Sequence, residues 1–130
     1  MASILKVNTF TGASTAGSIA VTGEGNSTTT NLQQGLAKSW TNAEQIGTNS
    51  VRDSFNMASV TDNGTGNFTV TFTNAMATAR YPAPGGCYAS DGKVVGTLGE
   101  ATTGTNMRIA DNGGSVSDTD SYMAIIGTMA

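Results

Sequence analysis

The residue types that most often carry catalysis are sparse in this chain, and one is missing altogether. There is no histidine, the usual general base near neutral pH and a common metal ligand. A Ser-His-Asp or Cys-His arrangement is thereby excluded. The nine carboxylates are dispersed, and the close pair among them is Asp118 and Asp120, separated by Thr119. Two carboxylates can cut a glycosidic bond when one is held protonated. Together with Asp111 or Asn112 they can also offer oxygen ligands to calcium. Nothing in the neighbouring sequence marks an acid partner for either role. A solvated loop that keeps a sheet end soluble is the expectation, with no catalytic residue, no metal site and no cofactor.

Other chemistries fare no better. The glycines are not followed by the Gly-Lys-Ser/Thr that a phosphate loop requires, so nucleotide binding has no support. Cys87 is the single cysteine, which excludes an intrachain disulfide and a multi-cysteine metal site. Its expected place is in or near a strand. The six basic residues are Lys6, Lys38, Arg52, Arg80, Lys93 and Arg108. They are scattered and form no stripe, so counterion release cannot drive nucleic-acid binding. No run of 18 apolar residues is present, so a transmembrane helix is not expected. Residues 1–6 lack the basic-then-apolar layout of a signal peptide, which points to synthesis in the cytoplasm. The Asn-X-Ser/Thr triplets at Asn26, Asn63 and Asn67 are chance matches in a chain this rich in Asn and Thr.

The elements that would position any site are mainly strands. Residues 67–73 alternate cleanly, with Phe68, Val70 and Phe72 on one side and Asn67, Thr69, Thr71 and Thr73 on the other. That is the period of a half-buried strand. Residues 55–60 form a second strand-length run, and the Thr-Asp-Asn-Gly-Thr-Gly cluster at 61–66 between them predicts an antiparallel hairpin. Further strands are expected at 3–7, 18–22, 87–90, 93–98, 106–110 and 122–126. Asp91-Gly92 predicts a tight turn between the third and fourth of these. The apolar run Tyr-Met-Ala-Ile-Ile at 122–126 predicts a central strand covered on both faces. Residues 41–50 read as loop or as an edge strand around Ile46, residues 99–104 as loop.

One helix is predicted, over 31–40, where Leu32, Leu36 and Trp40 recur every four residues and form a packing seam. Gly35 weakens it by about 1 kcal/mol relative to alanine. Strands every eight to twelve residues imply an antiparallel β-sandwich, jelly-roll-like or immunoglobulin-like. The expected organisation is a strand-containing attachment segment over 1–30, a short helix or linker over 31–40, and a β-sandwich over 41–130. Only 12% of residues are charged, against roughly 25% in an average soluble protein. Hydroxyl and amide groups therefore dominate the surface, a composition suited to long-lived particles.

The order of SILKV, GSIAVTGEGNSTTTNLQQGLAKSW, RDSFNMASVTDNGTGNFTVTFTNAM and SYMAIIGTMA along the chain resembles small fibre-type virion proteins of tailed, especially marine, bacteriophages. The resemblance is fullest over residues 32–72. It implies a homotrimer, an N-terminal part that attaches to other virion proteins of capsid or tail, and a β domain displayed outward, made in the host cytoplasm. Fibre proteins of this kind usually carry a longer apolar stretch after the tryptophan, where this chain has polar residues 41–49. That departure and the short chain keep a head fibre or capsid decoration protein open beside a tail fibre. The residues agree with an attached trimer, since two five-residue strands at the N-terminus cannot form a core alone. The loops at 61–67, 82–86 and 111–120 carry hydroxyls and amides that can bind host surface glycans, with Tyr81 and Tyr88 as stacking platforms. A polysaccharide depolymerase is the third, catalytic reading, and the empty chemistry argues against it.

Overall fold

The structure, a computed structural model, describes residues 4–12, 19–22, 29–88 and 92–130. Residues 13–18 and 23–28 lie outside the described residues, and with them Ser18 of the strand expected at 18–22; so do residues 89–90 of the strand expected at 87–90 and Asp91 of the expected tight turn. The chain divides into two compact units, Met1–Gly35 and Leu36–Ala130.

In the first unit, strands β1 (Ala20–Thr22) and β2 (Thr29–Asn31) pair antiparallel, with Val21 opposite Thr30. A single turn of helix, α1 (Leu32–Gly35), follows directly, and the Leu32 amide donates to the Ile19 carbonyl at 2.8 Å. Residues 4–12 form neither helix nor strand, so the strand expected at 3–7 is absent over its described part. Ile4, Leu5 and Phe10 are largely exposed. Two three-residue strands offer too little surface to bury them.

The second unit contains β3 (Ala37–Glu44), β4 (Ser50–Phe55), β5 (Met57–Asp62), β6 (Asn67–Phe72), β7 (Gly85–Cys87), β8 (Val94–Ala101), β9 (Gly104–Ala110) and β10 (Ser121–Ile126). They make two antiparallel four-stranded sheets, ordered β4-β3-β10-β7 and β5-β6-β9-β8. The protein is mainly β. Among the described residues, no helix is long and apolar enough to cross a membrane.

The predicted hairpin is present. β5 pairs with β6, Val60 opposite Val70, and Phe68, Val70 and Phe72 are buried. The turn between them uses Gly64 at φ 110° and Gly66 at φ 62°, conformations that an L side chain adopts only under strain. The core cluster takes Phe68, Val70, Phe72, Met107 and Ile109 from one sheet and Met123 and Ile125 from the other. Met76 and Tyr81, from the segment that follows β6, complete it. Each large side chain removed from water here contributes roughly 1.5–3 kcal/mol.

The helix expected over 31–40 is not formed beyond Gly35. From Ala37 the chain is extended, and β3 lies inside its sheet between β4 and β10. The four-residue spacing of Leu32, Leu36 and Trp40 is therefore no helical stripe. The buried row of β3 is Ser39, Thr41 and Ala43, small and polar residues that give no apolar alternation to read. Cross-strand pairing on both sides of β3 outweighs the local preference. The same pairing makes residues 41–44 strand, leaving Ile46 exposed in the following loop.

Three other expectations need correction. Residues 85–87 and 94–101 belong to different sheets and do not form a hairpin with each other. Residues 99–101 continue β8, which turns through Thr102 and Thr103 into β9, with Ala101 opposite Gly104. That turn is held from outside: the Phe72 amide donates to the Thr103 carbonyl and the Met76 amide to the Thr102 carbonyl, both at 2.8 Å. Finally, β10 is an inner strand as expected, but only one face is covered. Ser121, Met123 and Ile125 are buried while Tyr122 is exposed.

Candidate functional site

The outer end of the β4-β3-β10-β7 sheet holds a cleft of about 330 Å³ lined by Asn42, Arg52, Tyr88, Asp120, Ser121 and Tyr122. The sheet register assembles its floor. Tyr122 of β10 lies opposite Asn42 of β3 on one side and opposite Gly86 of β7 on the other. A Cβ built at Gly86 would stand 2.5 Å from the Tyr122 hydroxyl oxygen and 2.6 Å from the ring carbon bearing it. The hydroxyl end of the Tyr122 ring therefore lies against Gly86, in the space that a side chain there would need.

The charged rim comes from three elements. Arg52 of β4 reaches Asp120 Oδ2 at 2.5 Å and Glu44 Oε2 of β3 at 3.3 Å. The hydrogen bond to Asp120 raises the Arg52 pKa further above its ordinary value, and the charges of Asp120 and Glu44 add to this. The other Asp120 oxygen, Oδ1, is shielded from solvent without a hydrogen-bond partner. Below the rim, Gln45 Nε2 donates to Ser121 Oγ at 3.1 Å.

Tyr88 is anchored and yet open. Its amide donates to the Asp120 carbonyl at 2.8 Å, and its carbonyl accepts a short hydrogen bond from the Thr119 hydroxyl. Its side chain is 85% exposed. The backbone is fixed while the ring makes no contribution to the core.

The residues expected from sequence fall into different places. Tyr88 lines this cleft. Tyr81 does not: it is 6% exposed, packs edge-to-face on Phe72 with ring centroids 5.8 Å apart, and donates its hydroxyl to the Gly104 and Ala101 carbonyls at 2.8 and 3.0 Å. It cannot serve as a stacking platform. Burial raises its pKa, an effect that a hydrogen bond with Thr105 partly offsets. A raised folded pKa means the neutral phenol favours the fold. That stability is complete below the ordinary tyrosine pKa, about 10, and disappears as pH rises through the folded value. Tyr81→Phe is expected to lower stability by about 1 kcal/mol at pH 8, with the gap to the parent narrowing at pH 11. Urea unfolding of both proteins at the two pH values checks this, and a gap that widens at pH 11 contradicts it.

Asp118 and Asp120 do not act as a pair. Asp118 Oδ1 accepts from the Gly66 amide at 2.7 Å and secures the β5–β6 turn, while Asp120 serves Arg52. Asp111 Oδ1 accepts from the Gly113 and Ser115 amides at 2.9 and 2.8 Å, closing its own loop. Among the described residues, no group of three or more Cys, Asp or Glu side chains gathers to hold a metal ion.

The residues of the expected seam fall on different elements. Leu32 sits on α1 in the first unit. Leu36 is exposed at the start of the second, and Trp40 stands on the outer face of β3 opposite Phe55. Sequence reasoning missed Asn42, Arg52 and Tyr122. None of the three left a local signal, since the apolar run at 122–126 reads as a strand covered on both faces and only the fold leaves Tyr122 exposed. Comparison with protein-family models, curated proteins and solved structures finds no match to this chain.

Proposed function

We propose that the chain is a non-enzymatic structural protein of a tailed-phage particle, a homotrimeric fibre or fibre tip displayed on the virion surface. In this reading its two sheets form a β-sandwich, and the Met1–Gly35 unit attaches to other virion proteins. The observation that carries the proposal is that first unit. Its paired strands are three residues long, and Ile4, Leu5 and Phe10 stand in solvent. Apolar side chains in a segment with no core of its own are buried by other chains. Threefold closure also covers strand edges, which a lone four-stranded sheet leaves open to pairing. The residue resemblance over 32–72 supplies the kind of particle.

The test is the solution mass of the full chain beside a chain shortened to begin at Leu36, where the second unit keeps its complete core. The full chain is expected to be a trimer. Loss of the trimer on shortening assigns the intertwined stem to the first unit, and a trimer in both assigns the contact to the second. A monomer in both sinks the proposal.

A further inference from the structure

We infer that the cleft between Tyr88 and Tyr122 is a binding site for an uncharged saccharide, contacted through one sugar-ring face and its hydroxyl rim. The inference rests on the proposed surface-displayed protein and names the ligand class of one of its faces. Four observations lead to it. The cleft, about 330 Å³, stands at the small end of small-molecule sites and admits a monosaccharide ring. Two aromatic rings border it, and neither belongs to the core: Tyr88 is 85% exposed and Tyr122 59% exposed.

The hydroxyl end of the Tyr122 ring lies against Gly86, and the same residue lines the cleft. A flat aromatic face matches the apolar C–H face of a pyranose, as it matches other rings by stacking. Polar groups line the same cleft. The Asn42 amide both donates and accepts. Arg52, with five N–H donors, spends two nitrogens on Asp120 and Glu44. Adjacent sugar hydroxyls, each a donor and an acceptor, suit such a mixed rim.

Charge decides between neutral and acidic sugars. The cleft lining holds one cation, Arg52, and one anion, Asp120, and Arg52 is also paired with Glu44 beside the cleft, so no uncompensated positive charge is offered to a carboxylate. Uronic and sialic acids are disfavoured. The depression on the outer side of the other sheet, lined by Thr69, Thr71, Glu100 and Asn106 among others, has hydroxyls but no aromatic ring in its lining and so offers a sugar no stacking face.

The experiment is saturation-transfer NMR on the full chain with the methyl glycosides of neutral hexoses and N-acetylhexosamines, beside methyl glucuronide and N-acetylneuraminic acid. At least one neutral glycoside is expected to bind in the millimolar range, and the acidic sugars not to bind. Tyr88→Ala, which removes an exposed ring, is expected to weaken binding at least tenfold, and Tyr88→Trp to retain it. Gly86→Ala, which lifts the Tyr122 ring, is expected to weaken it as well. Absence of binding by every neutral glycoside, preference for the acidic sugars, or binding unchanged in Tyr88→Ala overturns the assignment. The mass of the same sample separates this result from the broader proposal. A trimer that binds no sugar removes the site alone, whereas a monomer that binds one removes the trimer alone.

Discussion

Gly104→Ala is expected to destabilise the second unit by at least about 3 kcal/mol, a loss at the severe end for one methyl group. Gly104 is buried at the start of β9, where its partner in β6 is Thr71. A Cβ added there would run into the Val70 carbonyl oxygen and the Thr71 Cα at 3.3 Å. Both obstacles are backbone, in the inner strand that carries Phe68, Val70 and Phe72, so no rotamer change relieves the clash. Moving β9 away would stretch the β6–β9 ladder. It would also withdraw the Gly104 carbonyl from Tyr81 and the Thr102–Thr103 turn from the Phe72 and Met76 amides. Gly96→Ala is the matched control, because nothing lies within 4 Å of a Cβ at that edge position in β8. It is expected to be neutral or slightly stabilising, since alanine restricts the unfolded chain more than glycine does. Chemical denaturation of the two variants beside the parent reads the difference. A Gly104→Ala loss below about 1 kcal/mol would show that the strands separate easily, contrary to this account.

What could be read from the sequence was whatever the chain encodes locally. The β5–β6 hairpin is legible because Phe68, Val70 and Phe72 alternate with threonines and because Gly64 and Gly66 supply the positive φ its turn needs. β3 is illegible for the opposite reason. Its buried row of Ser39, Thr41 and Ala43 is stabilised by pairing with strands that begin six and 77 residues after it ends, and Ser39 spends its hydroxyl on the Phe55 carbonyl at 3.1 Å. The β8–β9 turn carries no Asn-Gly or Asp-Gly because amides from elsewhere hold its carbonyls. The candidate site shows the same division. Tyr81 and Tyr88 flank one Pro/Gly stretch and look alike in sequence, and only the fold sends one to the core and the other to solvent. The Arg52–Asp120 contact joins residues 68 apart, and no local pattern announces it.

Asn56→Ala is expected to cost about 4 kcal/mol and to leave the β4 end of the cleft loose. Asn56 is the single residue between β4 and β5, where the chain passes from one sheet to the other. Its φ is 54°, a left-handed conformation that asparagine tolerates and alanine adopts at a cost of roughly 1–2 kcal/mol. The side chain is fully engaged. Its Nδ2 donates to the Lys38 and Asn74 carbonyls at 3.0 and 3.1 Å, and its Oδ1 accepts from the Asn74 amide at 2.7 Å. These bonds tie the start of β3 and the segment after β6 to the corner, and each is worth about 1 kcal/mol net. Asn56→Gly separates the two contributions, because glycine removes the strain but not the lost bonds. It is expected to be less damaging than alanine by about 1 kcal/mol. Asn56→Asp keeps an acceptor for the Asn74 amide and places a charged oxygen against two carbonyls, so it is expected to fall below glycine. Denaturation midpoints for the three variants give the order directly, and alanine equal to glycine would remove backbone strain from the explanation. Arg52 stands four residues before this corner on the same strand. A chain that folds with the corner loosened should therefore hold Arg52 less firmly against Asp120, and the cleft would lose its charged rim before the core gives way.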